Sequence, residues 1–249
     1  MGLNTKIYQS CHSTQDYLSG ADSIRLADLH NSFADKSIQA IMVARGGYGA
    51  GRLLPYIDFE LIRQNPKPFI GYSDVSALHI AINQICKLPT YHGPMPATSQ
   101  FTHQITQQSF RHMLLKDIPP PHIPPAKTII PGQASGILTG GNLSLVTASL
   151  GTPYEIDTTD KILFLEEIDE EPYKVDRMFC QLSQAGKLSA AAGIILGSFT
   201  YQGRHSLHPY QTAIETFITP LKKPTIHEAN CGHTTPNITL KLGAQMQIK

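Results

Sequence analysis

The residues best suited to chemistry lie in the pentapeptide GYSDV at 71–75, where a serine lies two residues after a glycine and directly before an acid. An apolar run at 68–70 comes before it, and residues 75–82 have the apolar spacing of a helix. A strand, a tight turn and a helix can present a serine hydroxyl to substrate beside free backbone N–H groups. Val75 replaces the second glycine of a complete G-x-S-x-G elbow, so a second interpretation stays open, in which Ser73 only caps the helix.

A serine nucleophile needs a base, and the base needs an acid that orients it. The segment KILFLEE at 161–167 is an apolar, strand-like run that ends in Glu166 and Glu167. His233 lies in the turn-rich segment NCGHTTPN at 230–237. The order serine, carboxylate, histidine occurs in known triads. Each partner also has an ordinary interpretation, as a solvated carboxylate at a strand end or as a loop histidine without a special role.

Together with further signatures, these segments resemble the LD-carboxypeptidase family of serine peptidases, which includes the murein tetrapeptide carboxypeptidases and the microcin C immunity hydrolases. The resemblance runs from about residue 3 to the C-terminus. Its signatures, in family order, are ARGGYG at 44–49, GYSD at 71–74, LFLE at 163–166 with PYKVDRM at 172–178, and GH at 232–233 with Asn237.

The resemblance implies a catalytic triad. In it, Ser73 is the nucleophile, His233 is the general base and later the general acid, and Glu166 orients the histidine. Glu166 is preferred to Glu167 because the family's acid directly ends the apolar run. The implied activity is that of a serine-type carboxypeptidase, a hydrolase that needs no metal and no organic cofactor.

The glycine cluster at 46–49 follows the apolar run at 38–44, which places it at the carboxyl end of a predicted strand. Ligands bind at that edge in open α/β sheets. The resemblance implies that the backbone N–H groups of Gly47 and Asp74 form an oxyanion hole there. A phosphate-binding loop is disfavoured because the lysine and Ser/Thr of a P-loop are absent. A plain tight turn is the remaining alternative.

The family's substrate is a murein tetrapeptide, from which the enzyme releases terminal D-alanine by cleaving an L-to-D amide during peptidoglycan recycling in the cytoplasm. Candidates for binding this small peptide are Arg45, Asn142 and Arg177, although the arginines could equally form structural ion pairs and Asn142 could stabilise a turn. The alternatives are hydrolysis of a peptidyl- or aminoacyl-nucleotide, as in the microcin C branch, an inactive truncated homologue, and an esterase of the α/β-hydrolase type. A homodimer is the expected assembly.

The composition is that of an ordinary enzyme of 249 residues with a formal net charge of +1. That charge gives no basic footprint for nucleic acid, and no apolar run of about 18 residues predicts a membrane span. The four cysteines form no C-x-x-C pair, which is typical of reduced thiols in a cytoplasmic protein. Cys231 lies close to His233, but no second ligand motif accompanies it, so neither a metal site nor a thiol nucleophile is favoured.

The positions of the prolines predict two α/β domains. Residues 1–117 would form a Rossmann- or flavodoxin-like domain with a parallel sheet, because strand and helix patterns alternate there. Residues 118–133 would form a proline-rich linker, and residues 134–249 a mixed α/β domain of the swivelling type. Since Ser73 belongs to the first domain and both Glu166 and His233 to the second, the site is expected in the cleft between them.

The local patterns also predict individual elements. Helices are expected at 23–34, 59–63, 75–87, 104–115, 173–188 and 209–221, and strands at 38–44, 68–70, from 161 and at 193–199. The family usually begins with another strand, loop and helix, whereas this sequence resembles it only from the second strand onward. A parallel sheet without that first strand would expose an edge.

Overall fold

The computed structural model describes residues 4–115, 126–202, 204–205 and 208–249. The proline-rich residues 118–125 of the predicted linker lie outside the described residues, so the domain boundaries stay a prediction. The helices are α1 (Asp22–Ala34), α2 (Ala50–Leu53), α3 (Phe59–Gln64), α4 (Ser76–Ala81), α5 (Gln104–Leu114), α6 (Leu143–Ala148), α7 (Pro172–Gln184), α8 (Lys187–Ala190) and α9 (Gln211–Phe217).

The strands are β1 (Ile41–Met42), β2 (Phe69–Gly71), β3 (Thr90–His92), β4 (Lys127–Ile130), β5 (Ala134–Asn142), β6 (Ile162–Ile168), β7 (Gly193–Tyr201), β8 (Arg204–His205), β9 (Thr225–His227), β10 (Leu240–Leu242) and β11 (Gln245–Ile248).

The first sheet has the order β1-β2-β3-β10. Strands β1, β2 and β3 are parallel, and β10 runs antiparallel to β3, with Leu240 opposite His92. β10 therefore comes from the second half of the chain and closes the sheet of the first half. This pairing links the segment that follows His233 to the sheet that carries Ser73.

The second sheet has the order β11-β5-β6-β7-β9-β4, with β8 paired to β7. β5, β6, β7 and β9 are parallel, whereas β11, β4 and β8 pair antiparallel with their neighbours. The predicted α/β fold, with a parallel-rich first sheet and a mixed second sheet, is confirmed.

Helix α4, which follows the serine turn, packs against two hydrophobic cores. Ile80 belongs to the core that α6, α7 and α9 build on the second sheet, whereas Leu78 and Ala81 belong to the core around α1 and α3. A helix that is apolar on nearly all sides is buried, and α4 carries Ser76 and His79 as its buried polar residues. The helix that begins at the serine turn is thus fixed by both halves of the fold.

Most predicted helices and long strands are confirmed within a few residues, but two predictions were wrong in extent. The strand expected at 38–44 is paired only over Ile41–Met42. The single helix expected at 173–188 ends at Gln184, and α8 starts after Gly186, which has a φ of 72° in the left-handed region. Among the described residues, no helix is both long and apolar enough to cross a membrane.

Candidate active site

Ser73 lies in a sharp turn between β2 and α4. Its φ is 65°, a left-handed conformation that non-glycine residues adopt at a cost of about 1–3 kcal/mol, and that clusters at functional sites. A single turn of 3₁₀ helix, Ser73–Val75, leads directly into α4, and neither element has a side-chain cap. The Ser73 hydroxyl makes no hydrogen bond to the described residues, so it is not a helix cap. The strained turn leaves this hydroxyl half-buried and available for reaction.

The glycine loop after β1 packs against this turn. A Cβ on Gly46 would lie 2.9 Å from the Cβ and 3.0 Å from the Oγ of Ser73, so only glycine allows the loop to approach so closely. The buried carboxylate of Asp74 accepts the N–H of Ala50 at 2.8 Å, which ties the end of the loop to the serine turn. Burial raises the pKa of Asp74 above its ordinary value, against the effect of its backbone hydrogen bonds.

Two backbone donors at this junction are free to bind an oxygen. Among the described residues, the N–H groups of Gly47 and Asp74 make no hydrogen bond. Asp74 lies in a first helical turn, where N–H groups have no partner within the helix. Fixed donors beside a reactive hydroxyl are the arrangement that stabilises a developing oxyanion.

Glu166 and His233 form a short hydrogen bond. The Nδ1 atom of His233 lies 2.7 Å from Oε2 of Glu166, and the backbone N–H of His233 donates to the same oxygen at 3.3 Å. The Glu166 side chain has no exposed surface, and that of His233 is 12% exposed. Because Nδ1–H donates to the carboxylate, the Nε2 atom carries the lone pair that can accept a proton.

The charge of Glu166 controls the basicity of His233. Burial lowers the pKa of His233, but the negative charge of Glu166 and its hydrogen bond outweigh this effect, and more distant charges on Glu167 and Asp169 add to it. The net result is a pKa raised above the ordinary value of 6.5. A buried imidazole with a raised pKa is well suited to general base catalysis near neutral pH.

A ring of amide hydrogen bonds holds the loop that carries His233. The N–H of Gly232 donates to Oδ1 of Asn237, whose Nδ2 donates to Oε1 of Gln100, and Nε2 of Gln100 donates back to the carbonyl of Gly232, each at 3.1 Å. The N–H of Asn237 also donates to Oγ1 of Thr106 on α5 at 2.9 Å. Residues of the first half thus position the histidine of the second half.

Tyr72 connects the serine turn to the histidine. Its ring lies edge-on to the His233 imidazole, with the ring centroids 4.8 Å apart. Burial raises the pKa of Tyr72 to about 12, so its hydroxyl stays protonated. The hydroxyl of Ser73 and the His233 imidazole make no hydrogen bond to each other in this part of the structure. Such contacts are often long in ligand-free enzymes and shorten in the substrate complex.

The neighbouring carboxylate, Glu167, points away from His233. It accepts hydrogen bonds from Nδ2 of Asn142 at 2.8 Å, from the backbone and hydroxyl of Ser144 at 2.8 and 2.6 Å, and from the N–H of Ile168 at 2.9 Å. Asn142 also caps α6, and its N–H donates to the Oγ of Ser76 at 2.9 Å. Asn142 is therefore 3% exposed, with its side chain bonded within the second half of the fold and its backbone N–H joined to Ser76 of the first half.

The two arginine candidates differ in their surroundings. Arg45 is exposed at the glycine loop, and its Nη2 lies 3.8 Å from the position that a Cβ on Gly47 would occupy. Arg177 is exposed on α7, where its guanidinium lies 5.9 Å from the ring centroid of Tyr173. Among the described residues, Arg177 forms no hydrogen bond to Ser73, Glu166 or His233. Arg45 contacts the glycine loop, since its Nε donates to the carbonyl oxygen of Gly46 at 3.4 Å.

Cys231 is buried near the site but differs from a reactive thiol. Burial raises its pKa, and the nearby charge of Glu166 adds to the effect, so the thiolate is disfavoured. Within the described ranges, no cluster of three or more His, Cys, Asp or Glu side chains is arranged to hold a metal ion.

Sequence reasoning did not find several positioning residues. Gln100 and Thr106 hold the His233 loop, and His92, at the end of β3, lies beside Glu166. None of them belongs to a local pattern with a chemical meaning. The only signal was the polar residue at the carboxyl end of a short apolar strand, where α/β sheets place ligand sites.

The chain matches two family models. The LD-carboxypeptidase N-terminal domain matches residues 1–93, and the LD-carboxypeptidase C-terminal domain matches residues 135–248. A probable murein peptide carboxypeptidase of Bacillus subtilis (strain 168) is 41% identical over 253 residues, which cover 98% of this chain and 79% of the relative.

Solved structures are similar over nearly the whole chain. The muramoyltetrapeptide carboxypeptidase from Oxalobacter formigenes has a TM-score of 0.82 at 26% identity, covering 94% of this chain and 81% of that one. The microcin C7 self immunity protein MccF in complex with aspartyl sulfamoyl adenosine has a TM-score of 0.82 at 26% identity, covering 97% of this chain and 82% of that one.

Replacing Gly232 by alanine is expected to displace Glu166. The added Cβ would lie 2.5 Å from Oε2 and 2.7 Å from Cγ of Glu166, and the φ of 99° is unfavourable for alanine. Since a displacement near 1 Å can cost about 100-fold in rate, kcat of Gly232→Ala should fall by about that factor. Gly51→Ala on α2 is the control, because its Cβ would meet nothing within 4 Å. Equal kcat values in a steady-state assay of the two variants would contradict the prediction.

The pH profile should report the raised pKa of His233. A general base must be neutral, so kcat/KM should fall as the pH drops through a pKa above 6.5. In Glu166→Gln the charge that raises the pKa of His233 is lost, and burial lowers that pKa. The acidic limb of the kcat/KM profile should therefore move to lower pH. In the same variant kcat should drop roughly a thousand- to ten-thousand-fold. Glu60→Gln on the surface of α3 serves as the control, and an acidic limb that stays in place in Glu166→Gln would refute the assignment.

Proposed function

Since this chain belongs to the LD-carboxypeptidase family of serine peptidases, we propose that it releases the terminal D-alanine from a murein tetrapeptide by acyl transfer to Ser73. The observation that carries the proposal is the Glu166–His233 hydrogen bond together with the contact of the His233 ring with Tyr72, the residue that precedes the strained Ser73. These groups supply a nucleophile, a base and an orienting acid, which are the components of hydrolysis by a serine triad.

In the proposed acylation step, Nε2 of His233 takes the hydroxyl proton while Oγ of Ser73 forms a bond to the carbonyl carbon of the L-configured residue. The resulting oxyanion accepts hydrogen bonds from the N–H groups of Gly47 and Asp74, each of which is worth about 3 kcal/mol of barrier. Glu166 stabilises the imidazolium. The C–N bond then breaks, and His233 gives its proton to the departing amine of D-alanine.

Deacylation repeats these steps with water as the nucleophile. His233 takes a proton from water, the hydroxide attacks the acyl-enzyme carbonyl, and the proton returns to Oγ of Ser73 as the shortened peptide leaves. No further group is required to balance the reaction. We assign this reaction to peptidoglycan recycling in the cytoplasm, where wall peptides already cut free would be the substrate.

Arg45 is our candidate for binding the terminal carboxylate of the substrate. Its position beside Gly47 would hold the carboxylate of the D-residue one residue beyond the attacked carbonyl. Arginine suits this role because its guanidinium binds carboxylates in a bidentate manner. We do not assign a substrate contact to Asn142, since its side chain already bonds Glu167 and the N-terminus of α6.

Hydrolysis of an aminoacyl-nucleotide is the second candidate. It is favoured by the similarity to a protein solved with aspartyl sulfamoyl adenosine and by an exposed aromatic pair at the glycine loop. The rings of Tyr17 and Tyr48 lie 5.7 Å apart, and both side chains are largely exposed. Two such rings could stack on a base or another flat group of the substrate.

Incubating the purified chain with a murein tetrapeptide should release D-alanine, detected by a D-amino acid oxidase assay. Ser73→Ala should lose at least about a thousand-fold of this activity, because the nucleophile is gone. Parallel samples with aspartyl sulfamoyl adenosine measure release of aspartate. Release of aspartate alone would favour the nucleotide reaction. Equal release of D-alanine by Ser73→Ala and the unaltered chain would disprove the serine mechanism.

Arg45→Gln should raise KM for the tetrapeptide about tenfold with a smaller change in kcat, because a charge-assisted hydrogen bond to the substrate is lost. Arg177→Gln is the matched control on the surface of α7 and should leave KM unchanged. A tetrapeptide amidated at its C-terminus has no terminal charge, so its KM should be similar for the unaltered chain and Arg45→Gln. A tenfold rise with the amidated peptide as well would argue against the carboxylate contact.

A further inference from the structure

The second oxygen of Glu166 faces a buried histidine that has no part in the triad. Oε2 binds His233, but Oε1 has no hydrogen bond among the described residues. Nε2 of His92 lies 3.9 Å from Oε1, and neither side chain has exposed surface. A separation of 3.9 Å is beyond a hydrogen bond, but a movement of about 1 Å would make one.

His92 lies at the carboxyl end of β3 among aromatic rings. Its ring centroid lies 4.9 Å from that of Phe164 and 5.9 Å from that of Tyr72, both edge-on, and 6.3 Å from that of His79. Neither Nδ1 nor Nε2 of His92 has a hydrogen-bond partner in the described part of the chain. Buried polar groups without partners are unfavourable and rare, and a hydrophobic side chain would suit this environment better.

Two unpartnered, fully buried polar atoms that face each other have a simple explanation. We propose that His92 is a positioning residue of the active site, whose Nε2–H donates to Oε1 of Glu166 when the bound substrate closes the site. Glu166 is then held between two imidazoles, His233 on one oxygen and His92 on the other. This inference rests on the proposed triad and adds a fourth member to it.

His92 can act as a neutral donor rather than as a cation. Burial lowers its pKa well below 6.5, and the neighbouring His79 and His233 lower it further. A neutral imidazole with its proton on Nε2 can donate a hydrogen bond to Glu166 without placing a second positive charge beside it. The negative charge of Glu166 then remains available to stabilise the imidazolium of His233. When His233 becomes an imidazolium, the added hydrogen bond keeps the negative charge on Glu166 and the proton on His233.

His79 does not fill the same role. Its Nε2 atom lies 3.0 Å from the carbonyl oxygen of Gly71, so its ring is fixed on the backbone of β2. Its ring centroid lies 6.3 Å from that of His92. The proposed movement is a small approach between His92 and Glu166.

Three substitutions separate a donor role from a packing role. His92→Gln can place its amide N–H near the position of Nε2, His92→Asn is too short to reach it, and His92→Phe fills the volume without any donor. The loss of one hydrogen bond to a charged group predicts that kcat of the Phe and Asn variants falls about 10- to 100-fold with KM nearly unchanged. The Gln variant should recover most of the rate, and the unfolding temperature of the Phe variant should not fall.

The assay is D-alanine release from the tetrapeptide, with thermal unfolding measured on every variant. Wild-type kcat in a folded Phe variant, or equal losses in the Gln and Phe variants, would overturn the role of His92. Ser73→Ala is run alongside, because its result tests the triad separately. Activity that depends on Ser73 but not on His92 would leave the proposed function intact and reject only this inference.

Discussion

The hydrogen bond between the buried carboxylate of Glu166 and the imidazole of His233 is the interaction on which the site depends. A carboxylate without exposed surface is unfavourable unless donors compensate its charge. The loop that supplies those donors must therefore approach closely, which requires glycine at position 232, and must be held in place, which the ring of amide bonds through Asn237 and Gln100 does. One buried charge thus explains why a long loop has a defined conformation.

Because side chains alternate between the two faces of a β-strand, the adjacent carboxylates of Glu166 and Glu167 have different partners. Successive side chains of a strand point to opposite faces, so Glu166 faces His233 while Glu167 faces α6. Glu167 binds Asn142, and Asn142 in turn binds Ser76 on the helix that follows the nucleophile. Glu166 therefore orients the candidate base on one face of the strand. On the other face, Glu167 holds Asn142, which joins the two halves of the fold.

Helix α4 packs against both halves of the fold and directly follows the candidate nucleophile Ser73. It starts immediately after the strained Ser73 turn, and its Ile80 lies in the core of the second sheet while its Leu78 lies in the core of the first half. Strand β10 adds a second link, since it leaves the His233 region and pairs with β3. Both halves of the fold are therefore anchored on elements that adjoin Ser73 and His233.

The sequence determined the α/β class, most helices, the long strands and the residues that could form a triad, because helical and strand periodicities and short motifs are local properties. It did not predict the short strands Thr90–His92 and Gln245–Ile248, whose pairing partners lie far along the chain. Only the tertiary structure decided which carboxylate contacts His233, that Asn142 is a structural link, and that His92 faces Glu166. The reason is physical: hydrogen bonds and burial depend on distances between segments remote in sequence, and no local pattern encodes those distances.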